Sequence, residues 1–396
     1  MALLFFCAAA LGQLPLGVAA LCAWIAWNAR AIISQCAGVL APAVLMALLY
    51  VAPPWLHCLA RLQECDMTLN VSDTALALVG IACFISMAHA TAGARTRRNA
   101  VESWWPHVGS LLLLGVAAAR LVGVADPIAG DGVAGHLLFV TANDAAFAPI
   151  FFLLCIGTAR SCPKVLVAHA VAIAVFAILA ASVAESRLVV IVALIAAGTL
   201  LAVATRGDRN FGRMASIVAL VALIGAAVAI ATNERLSGKL REVVDASLAT
   251  RAYLVETALR LWSESPLLGK GPGAFEASYA SAHAAFPPSH EIDKRFVSWP
   301  HNAFVEMLLE KGLAGVVSLI VAAGWLYRRS VATATMAMGE RSFGGAAVVV
   351  SALLFVLLAF VETSMHRVYF LPGAAAIIGA LVTCGPQRAV GAREVI

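Results

Sequence analysis

Long apolar runs separated by short polar connections form the dominant pattern of the chain. Runs of roughly 20 residues are long enough to cross a bilayer as helices, and they cover 31–52, 73–91, 107–124, 143–160, 163–183, 187–205, 213–231, 312–328, 343–361 and 368–385. The first apolar stretch, 2–27, is either one helix or a hairpin broken near Pro15, because a helix interior tolerates proline poorly. The pattern predicts 11 or 12 spans, and we favour 12.

Composition agrees with an all-α polytopic integral membrane protein. Hydrophobic residues make up 62% of the 396 positions and charged residues 12%, whereas soluble domains contain about 25% charged residues. The runs are too long for barrel strands, and a lipid-exposed backbone must satisfy its own hydrogen bonds, which helices do. The N-terminal run lacks a basic leader and a convincing cleavage site, so we expect a retained span. We expect no nucleic-acid partner.

One long polar segment interrupts this pattern and divides the chain into three parts. We predict an N-terminal transmembrane bundle over 1–231, a large loop containing helices over 232–311, and C-terminal transmembrane helices over 312–396. A polar segment between membrane spans is where such a protein would handle a water-soluble group. The candidate chemistry is therefore expected in or beside 232–311.

The distribution of Lys and Arg predicts the orientation. One set of alternate loops carries 14 basic and four acidic residues, and the remaining positions carry 13 basic and 18 acidic residues. Cytoplasmic loops are enriched in Lys and Arg. The first set is thus predicted to be cytoplasmic, and the segment 232–311 is predicted to face the outside of the cell, or the periplasm in a Gram-negative cell.

Arg251 lies on the apolar face of a predicted helix over 247–262. Positions at helical spacing form this face: Arg251, Leu254, Val255, Ala258, Leu261 and Trp262. Glu256 and Arg260 point elsewhere. Arg251 is either an arginine that snorkels at the membrane interface or a guanidinium that faces an anionic ligand, because its planar fork suits phosphate.

Two further arginines occupy positions that positive charge usually avoids. Arg187 is the first residue of a predicted span, at its external end, where it either pairs with Glu185 or serves as a second phosphate ligand. Arg120 lies inside a span, a location that by default suggests function. Pairing with Asp144 would also explain Arg120, so both interpretations stay open.

His301 stands in a Pro-His-Asn triplet that predicts the first turn of a helix, because proline suits that position. A lone histidine at a membrane edge is usually structural. Here Trp299, Asn302 and Glu306 surround it in the sequence, and Asn302, Glu306 and Glu310 repeat as a polar stripe. The arrangement favours His301 as a general base or hydrogen-bond donor.

Three other features carry weaker signals. The segment 265–273 is glycine-rich, but its spacing does not match a phosphate loop, so we expect a tight turn that returns the chain to the membrane. Cys58 and Cys65 share one external loop and could pair in an oxidising compartment. No Cys/His spacing indicates zinc, no acidic cluster indicates a divalent metal, and we expect no cofactor.

These motifs together resemble a known family. The order is Ser-Arg at the start of a span, then Thr-Arg…Trp…Ser-Pro-Leu-Leu-Gly-x-Gly-x-Gly-x-Phe, then Pro-His-Asn-x-x-x-Glu-x-x-x-Glu-x-Gly-x-x-Gly. It resembles the O-antigen ligase/polymerase superfamily of polytopic, GT-C-like membrane glycosyltransferases, by motif over roughly 140–330. The resemblance implies glycan transfer from undecaprenyl diphosphate on the periplasmic face, without a metal, by two arginines and one histidine that map onto Arg187, Arg251 and His301.

The resemblance implies two substrates besides the membrane lipids around the spans: undecaprenyl-diphosphate-linked O-antigen as donor and lipid A–core oligosaccharide as acceptor. The chain ends at Ile396 without a C-terminal soluble extension, which argues against the protein-glycosylating members of the superfamily. We favour the ligase, which completes lipopolysaccharide by an inverting transfer and fits the compact size of the chain. Trp299, Asn302, Glu306 and Arg120 are expected to contribute to substrate binding. The polymerase, which extends O-antigen on its carrier, is the alternative. A lipid-linked glycan transporter is disfavoured because we see no internal repeat.

Overall fold

The structure is a computed structural model, and the residues it describes are helical apart from their turns. Described are 14–60, 67–93, 100–121, 142–157, 163–183, 187–204, 246–288, 299–339, 343–361 and 370–383, with isolated positions between 217 and 232. No strand occurs in these ranges, which confirms the all-α prediction for them. The predicted span 213–231 lies mostly outside the described residues.

The helices are numbered here in chain order. They are α1 (Leu14–Trp27), α2 (Ala29–Ala60), α3 (Met67–Gly93), α4 (Ala100–Leu121), α5 (Phe147–Gly157, preceded by a 3₁₀ helix over Ala142–Ala146), α6 (Pro163–Val183), α7 (Arg187–Ala204), α8 (Ala246–Ser263), α9 (Ala274–Ala285), α10 (Ala303–Gly339), α11 (Phe343–Val361) and α12 (Phe370–Thr383).

Several predicted spans coincide with helices. The spans 163–183 and 343–361 match α6 and α11, whereas α10 extends well beyond the predicted 312–328 on both sides. Pro15 lies in the first turn of α1, where its missing N–H costs no hydrogen bond. Residues 1–13 lie outside the described ones, so the choice between one helix and a hairpin stays a prediction.

The apolar helices fit a helical membrane protein. Within the described residues, Thr68–His89 and Lys164–Ser182 are long and apolar enough to cross a membrane. Shorter apolar helices of 10–17 residues accompany them, among them Leu188–Ala204 and Ala346–Val361. The number of spans, the domain boundaries and the periplasmic orientation stay predictions.

The main core is built around α5. Ten of its 11 residues are buried, and the largest of them include Phe147, Phe151 and Phe152, each at most 2% exposed. The helix packs against α4, α7 and α11. Since α5 is roughly 17 Å long, it fills the bundle rather than crossing a bilayer of about 30 Å by itself.

A smaller second core positions the polar segment. Leu254, Ala258 and Leu261 of α8 pack against Phe275 of α9 and Leu309 of α10. These α8 positions belong to the apolar face that the sequence predicts, and α8 covers the predicted 247–262. Glu256 and Arg260 lie on the exposed side, where they form an ion pair at 2.6 Å. The predicted helix and its buried face are confirmed.

Candidate functional site at the start and the break of α10

The glycine-rich segment between α8 and α9 forms a tight turn, as predicted. Gly269, Gly271 and Gly273 have φ angles of 73°, 90° and 73°, in the left-handed region that glycine enters readily. The expected return to the membrane is not direct, because the turn leads into α9, whose N-cap is Gly273. The turn instead contacts the ends of the apolar helices: a Cβ on Gly271 would lie 3.9 Å from His57 of α2, and one on Gly273 would lie 2.7 Å from Leu69 of α3.

Helix α10 is broken at Gly312, where φ is 62° and ψ is −163°. The glycine turn occupies this break and replaces the helical hydrogen bonds that the break removes. Four backbone hydrogen bonds connect them: Lys270 N to Leu309 O at 2.8 Å, Gly271 N to Glu310 O at 3.0 Å, Leu313 N to Pro266 O at 2.9 Å, and Ala314 N to Leu267 O at 3.1 Å. Buried backbone groups must be paired, so the turn and the break depend on each other.

The close approach of the two backbones requires glycine on both sides. A Cβ on Gly312 would lie 2.4 Å from the carbonyl oxygen of Leu267, and a Cβ on Gly269 would lie 2.3 Å from the carbonyl carbon of Glu310. Both distances are shorter than any normal carbon contact. Any larger residue at either position would separate the turn from α10.

The carboxylate of Glu310 closes the same junction. It is fully buried, and its Oε1 accepts a hydrogen bond of 2.7 Å from the backbone N–H of Gly273. Because Gly273 is the N-cap of α9, the carboxylate lies at the positive end of that helix, where negative charge is favourable. Glu310 therefore anchors α9 to α10.

His301 lies just before α10 rather than in its first turn. The helix begins at Ala303, and the carboxamide Oδ1 of Asn302 accepts hydrogen bonds from the backbone N–H groups of Phe304 and Val305 at 3.0 and 3.1 Å. Asn302 is thus the N-cap, because its short side chain can reach these groups. The expectation that Pro300 places His301 in the first helical turn is wrong by two residues.

The backbone of His301 is held in an uncommon conformation. Its φ is 53°, a value that residues other than glycine rarely adopt, and its ring packs beside that of Trp299, with centroids 5.2 Å apart. Such conformations cost free energy and concentrate at functional sites. The structure thus places the rings of Trp299 and His301 side by side, and their roles in a site stay predictions.

The other predicted site residues occupy different elements. Arg251 is half-buried on the packed side of α8, and α8 contacts α10, so the elements that carry Arg251 and His301 are neighbours. Glu306 is 1% exposed, one turn into α10. Arg187 is the first residue of α7, and Arg120 is the penultimate residue of α4. The side chains of Arg187 and Arg120 lie outside the described residues, so a shared phosphate site stays a prediction.

A buried ion pair was missed by the sequence analysis. Lys311 and Asp73 form a salt bridge with side chains 0% and 2% exposed. The Lys311 Nζ also lies 3.8 Å from the ring centroid of Tyr50, whose hydroxyl donates to Asp73 Oδ1 at 3.1 Å. An aspartate at the first position of the predicted span 73–91 was the available signal. Its partner is 238 residues away in the chain, which no local pattern could indicate.

The remaining predicted features are partly described. Cys58 is disulfide-bonded, and Cys65 lies outside the described residues. Among the described residues, no group of three or more His, Cys, Asp or Glu side chains is placed to hold a metal ion. Asp144 is buried in the 3₁₀ helix, and its proposed pairing with Arg120 stays a prediction.

Comparison with known proteins points to one family. No curated protein matches the chain. A family model described as O-antigen ligase matches residues 170–320, a range that runs from α6 into α10 and holds Arg187, Arg251, the glycine turn and His301. The matched region is thus similar to the O-antigen ligase family, which supports the resemblance that the motifs indicate.

Proposed function

We propose that this protein is an O-antigen ligase. It would transfer O-antigen polysaccharide from undecaprenyl diphosphate to lipid A–core oligosaccharide on the periplasmic face of the inner membrane. The observation that carries the proposal is the family match over 170–320, which contains both arginines and the histidine. The family includes O-antigen ligases and polymerases, which are glycosyltransferase-like enzymes acting on lipid-linked glycans.

The reaction would proceed by a single inverting displacement. An acceptor hydroxyl attacks the anomeric carbon of the donor sugar, a new C–O bond forms, and the bond to the diphosphate breaks with its electron pair on the leaving oxygen. Arg187 and Arg251 would stabilise the negative charge that develops on the diphosphate. Charge stabilisation that is stronger in the transition state than in the ground state accelerates the step.

His301 would accept the proton of the attacking hydroxyl or orient that hydroxyl. Its position immediately before the N-cap of α10 and beside Trp299 fixes the backbone from which the ring projects. Trp299 offers an aromatic surface next to the imidazole, which suits a sugar ring. Arg120, Asn302 and Glu306 would contribute to substrate binding, with Asn302 also committed to capping α10.

The disulfide at Cys58 supports the periplasmic orientation. Disulfides persist in oxidising compartments such as the bacterial periplasm. Cys58 follows His57, which lies against Gly271 of the glycine turn. The disulfide and the glycine turn therefore lie at the same end of α2. This common location is what we expect if the loop 232–311 faces the periplasm.

Reconstitution with defined substrates tests the function. The purified protein is incubated with undecaprenyl-diphosphate-linked glycan, with and without lipid A–core. Glycan transfer that requires lipid A–core is the expected result. Ladders of carrier-linked glycan formed without lipid A–core would show a polymerase, which is the second candidate because the matched family includes both activities. No transfer in either reaction would contradict both.

Variants test the assigned residues in the same assay. His301→Ala should lower transfer by about 100-fold, within the range for loss of a general base. His283→Ala is a matched control, because His283 lies in the same polar segment but contacts Tyr253 of α8 at 2.8 Å. Full transfer by His301→Ala at normal protein levels would refute the catalytic assignment. Loss of transfer in EDTA with recovery in Mg²⁺ would refute the metal-independent mechanism.

A further inference from the structure

The two residues before the break in α10 face two different parts of the molecule. Glu310 accepts a hydrogen bond from Gly273 at the start of α9. Lys311, the next residue, forms its ion pair with Asp73 of α3 and lies over the ring of Tyr50 of α2. Successive residues thus connect α10 to the polar segment and to the apolar bundle.

The ion pair is a costly way to hold helices together. Removing two charges from water is expensive, and apolar residues of similar volume often stabilise as well or better. A buried ion pair does constrain the relative orientation of its helices. The ammonium, the carboxylate and the Tyr50 hydroxyl interact favourably only in certain geometries. Since the three groups satisfy one another, they specify one arrangement of α2, α3 and α10.

The arrangement reaches the candidate site through the glycine turn. Lys311 directly precedes Gly312, the residue at which α10 breaks. The direction of the Lys311 side chain and the φ angle of the break are therefore coupled through adjacent residues. The four backbone hydrogen bonds across the break then fix the turn. From the turn, α8 carries Arg251, and the first part of α10 leads back to His301.

We propose that Lys311, Asp73 and Tyr50 are positioning residues that hold the broken α10, and with it the elements carrying Arg251 and His301, in the geometry for glycosyl transfer. The reaction named here rests on the proposed function. The ion pair acts through the backbone of α10 and the glycine turn. Its loss should therefore lower kcat more than it raises KM for the carrier-linked donor.

Three variants test the proposal. Lys311→Met removes the ammonium and leaves the Asp73 carboxylate without it. The double variant Lys311→Met with Asp73→Leu removes both charges, so no buried charge is left without a partner and the protein is expected to fold. Lys270→Met is the matched control, because the Lys270 side chain lies in the same turn but pairs with the exposed Glu264.

Two measurements are made on each variant. Hydrogen exchange is followed over 266–273, which includes the N–H groups of Lys270 and Gly271 that bond across the break. Transfer kinetics give kcat and KM. We expect about tenfold faster exchange in the double variant and about 100-fold lower kcat, the size of effect that a misplacement of about 1 Å produces. Lys270→Met should match the wild type in both.

The outcomes separate the proposal from the proposed function. A double variant with wild-type exchange and wild-type kcat would overturn the positioning role, because the pair would then contribute only to folding. An unchanged kcat with a raised KM would overturn it as well. Wild-type protein that transfers no glycan at all would contradict the proposed function. The exchange over 266–273 would then still decide whether the ion pair holds the break.

Discussion

Replacing Gly312 by alanine tests how the break in α10 is built. Gly312 has a φ of 62° and a ψ of −163°, a conformation that an L-residue with a Cβ adopts only under strain. The new methyl would also lie 2.4 Å from the carbonyl oxygen of Leu267. The variant must either keep the strained break or straighten the helix and expel the turn.

Both responses lead to a similar loss of stability. Keeping the break costs about 1–3 kcal/mol in backbone strain. Relieving the close contact with Leu267 adds to this cost. Straightening α10 exchanges the four hydrogen bonds across the break for two helical ones, from the N–H groups of Leu313 and Ala314 to the carbonyls of Leu309 and Glu310. At about 1 kcal/mol for each net hydrogen bond, the exchange costs about 2 kcal/mol. The expected destabilisation is about 2–4 kcal/mol.

Thermal unfolding of the detergent-solubilised protein, followed by tryptophan fluorescence, measures this loss. Gly324→Ala is the matched control in the same helix, because a Cβ on Gly324 meets no atom within 4 Å. That control should unfold at or slightly above the wild-type temperature, since alanine is the better helix former. If Gly312→Ala unfolds at the same temperature as Gly324→Ala, the break does not depend on glycine and the reasoning is refuted.

Three further predictions concern single side chains. Arg251→Lys should lose nearly as much transfer activity as Arg251→Ala if its fork binds phosphate through two N–H groups, and near-wild-type rates for the Lys variant would refute that. Asn302→Ala should lower the free energy of unfolding by about 1 kcal/mol through loss of the α10 cap, and Asn302→Asp, which keeps an acceptor oxygen, should recover most of it in thermal unfolding. Burial, with a smaller contribution from Tyr253, raises the pKa of Tyr279. Its contribution to stability should therefore be complete below the ordinary tyrosine pKa of about 10 and fall at higher pH. Tyr279→Phe should flatten this part of the pH dependence of unfolding, and an unchanged profile would contradict it.

The helices were largely predictable because their signal is local. The apolar runs at α6 and α11 gave the correct bounds, and the helical spacing of Leu254, Ala258 and Leu261 identified the buried face of α8. The polar candidates were also found locally, since Arg251, Trp299 and His301 stand out against their surroundings. His301 was misplaced relative to the helix because Pro300 and Asn302 both mark helix starts, and only the structure shows that Asn302 is the cap.

The junction at Gly312 was not predictable for a physical reason. Gly269 and Gly312 are more than 40 residues apart in the sequence. Taken alone, Gly269 is compatible with an ordinary turn, and Gly312 is compatible with a small residue at a helix-packing contact. Only their contact shows that the turn supplies the hydrogen bonds that α10 gives up. The same holds for Glu310, which in the sequence is one member of a polar stripe and in the structure is fully buried as an anchor for α9.

The sequence by itself therefore determined the all-helical class, the position of the polar segment and the residue types available for phosphate and hydroxyl chemistry. These features depend on composition and on periodicity within a few helical turns, both of which can be read locally. The tertiary structure decided where α10 breaks, what fills the break and which charges are buried together. Lys311 and Asp73 meet across 238 residues, and a buried charge is stable only where the fold brings it a partner.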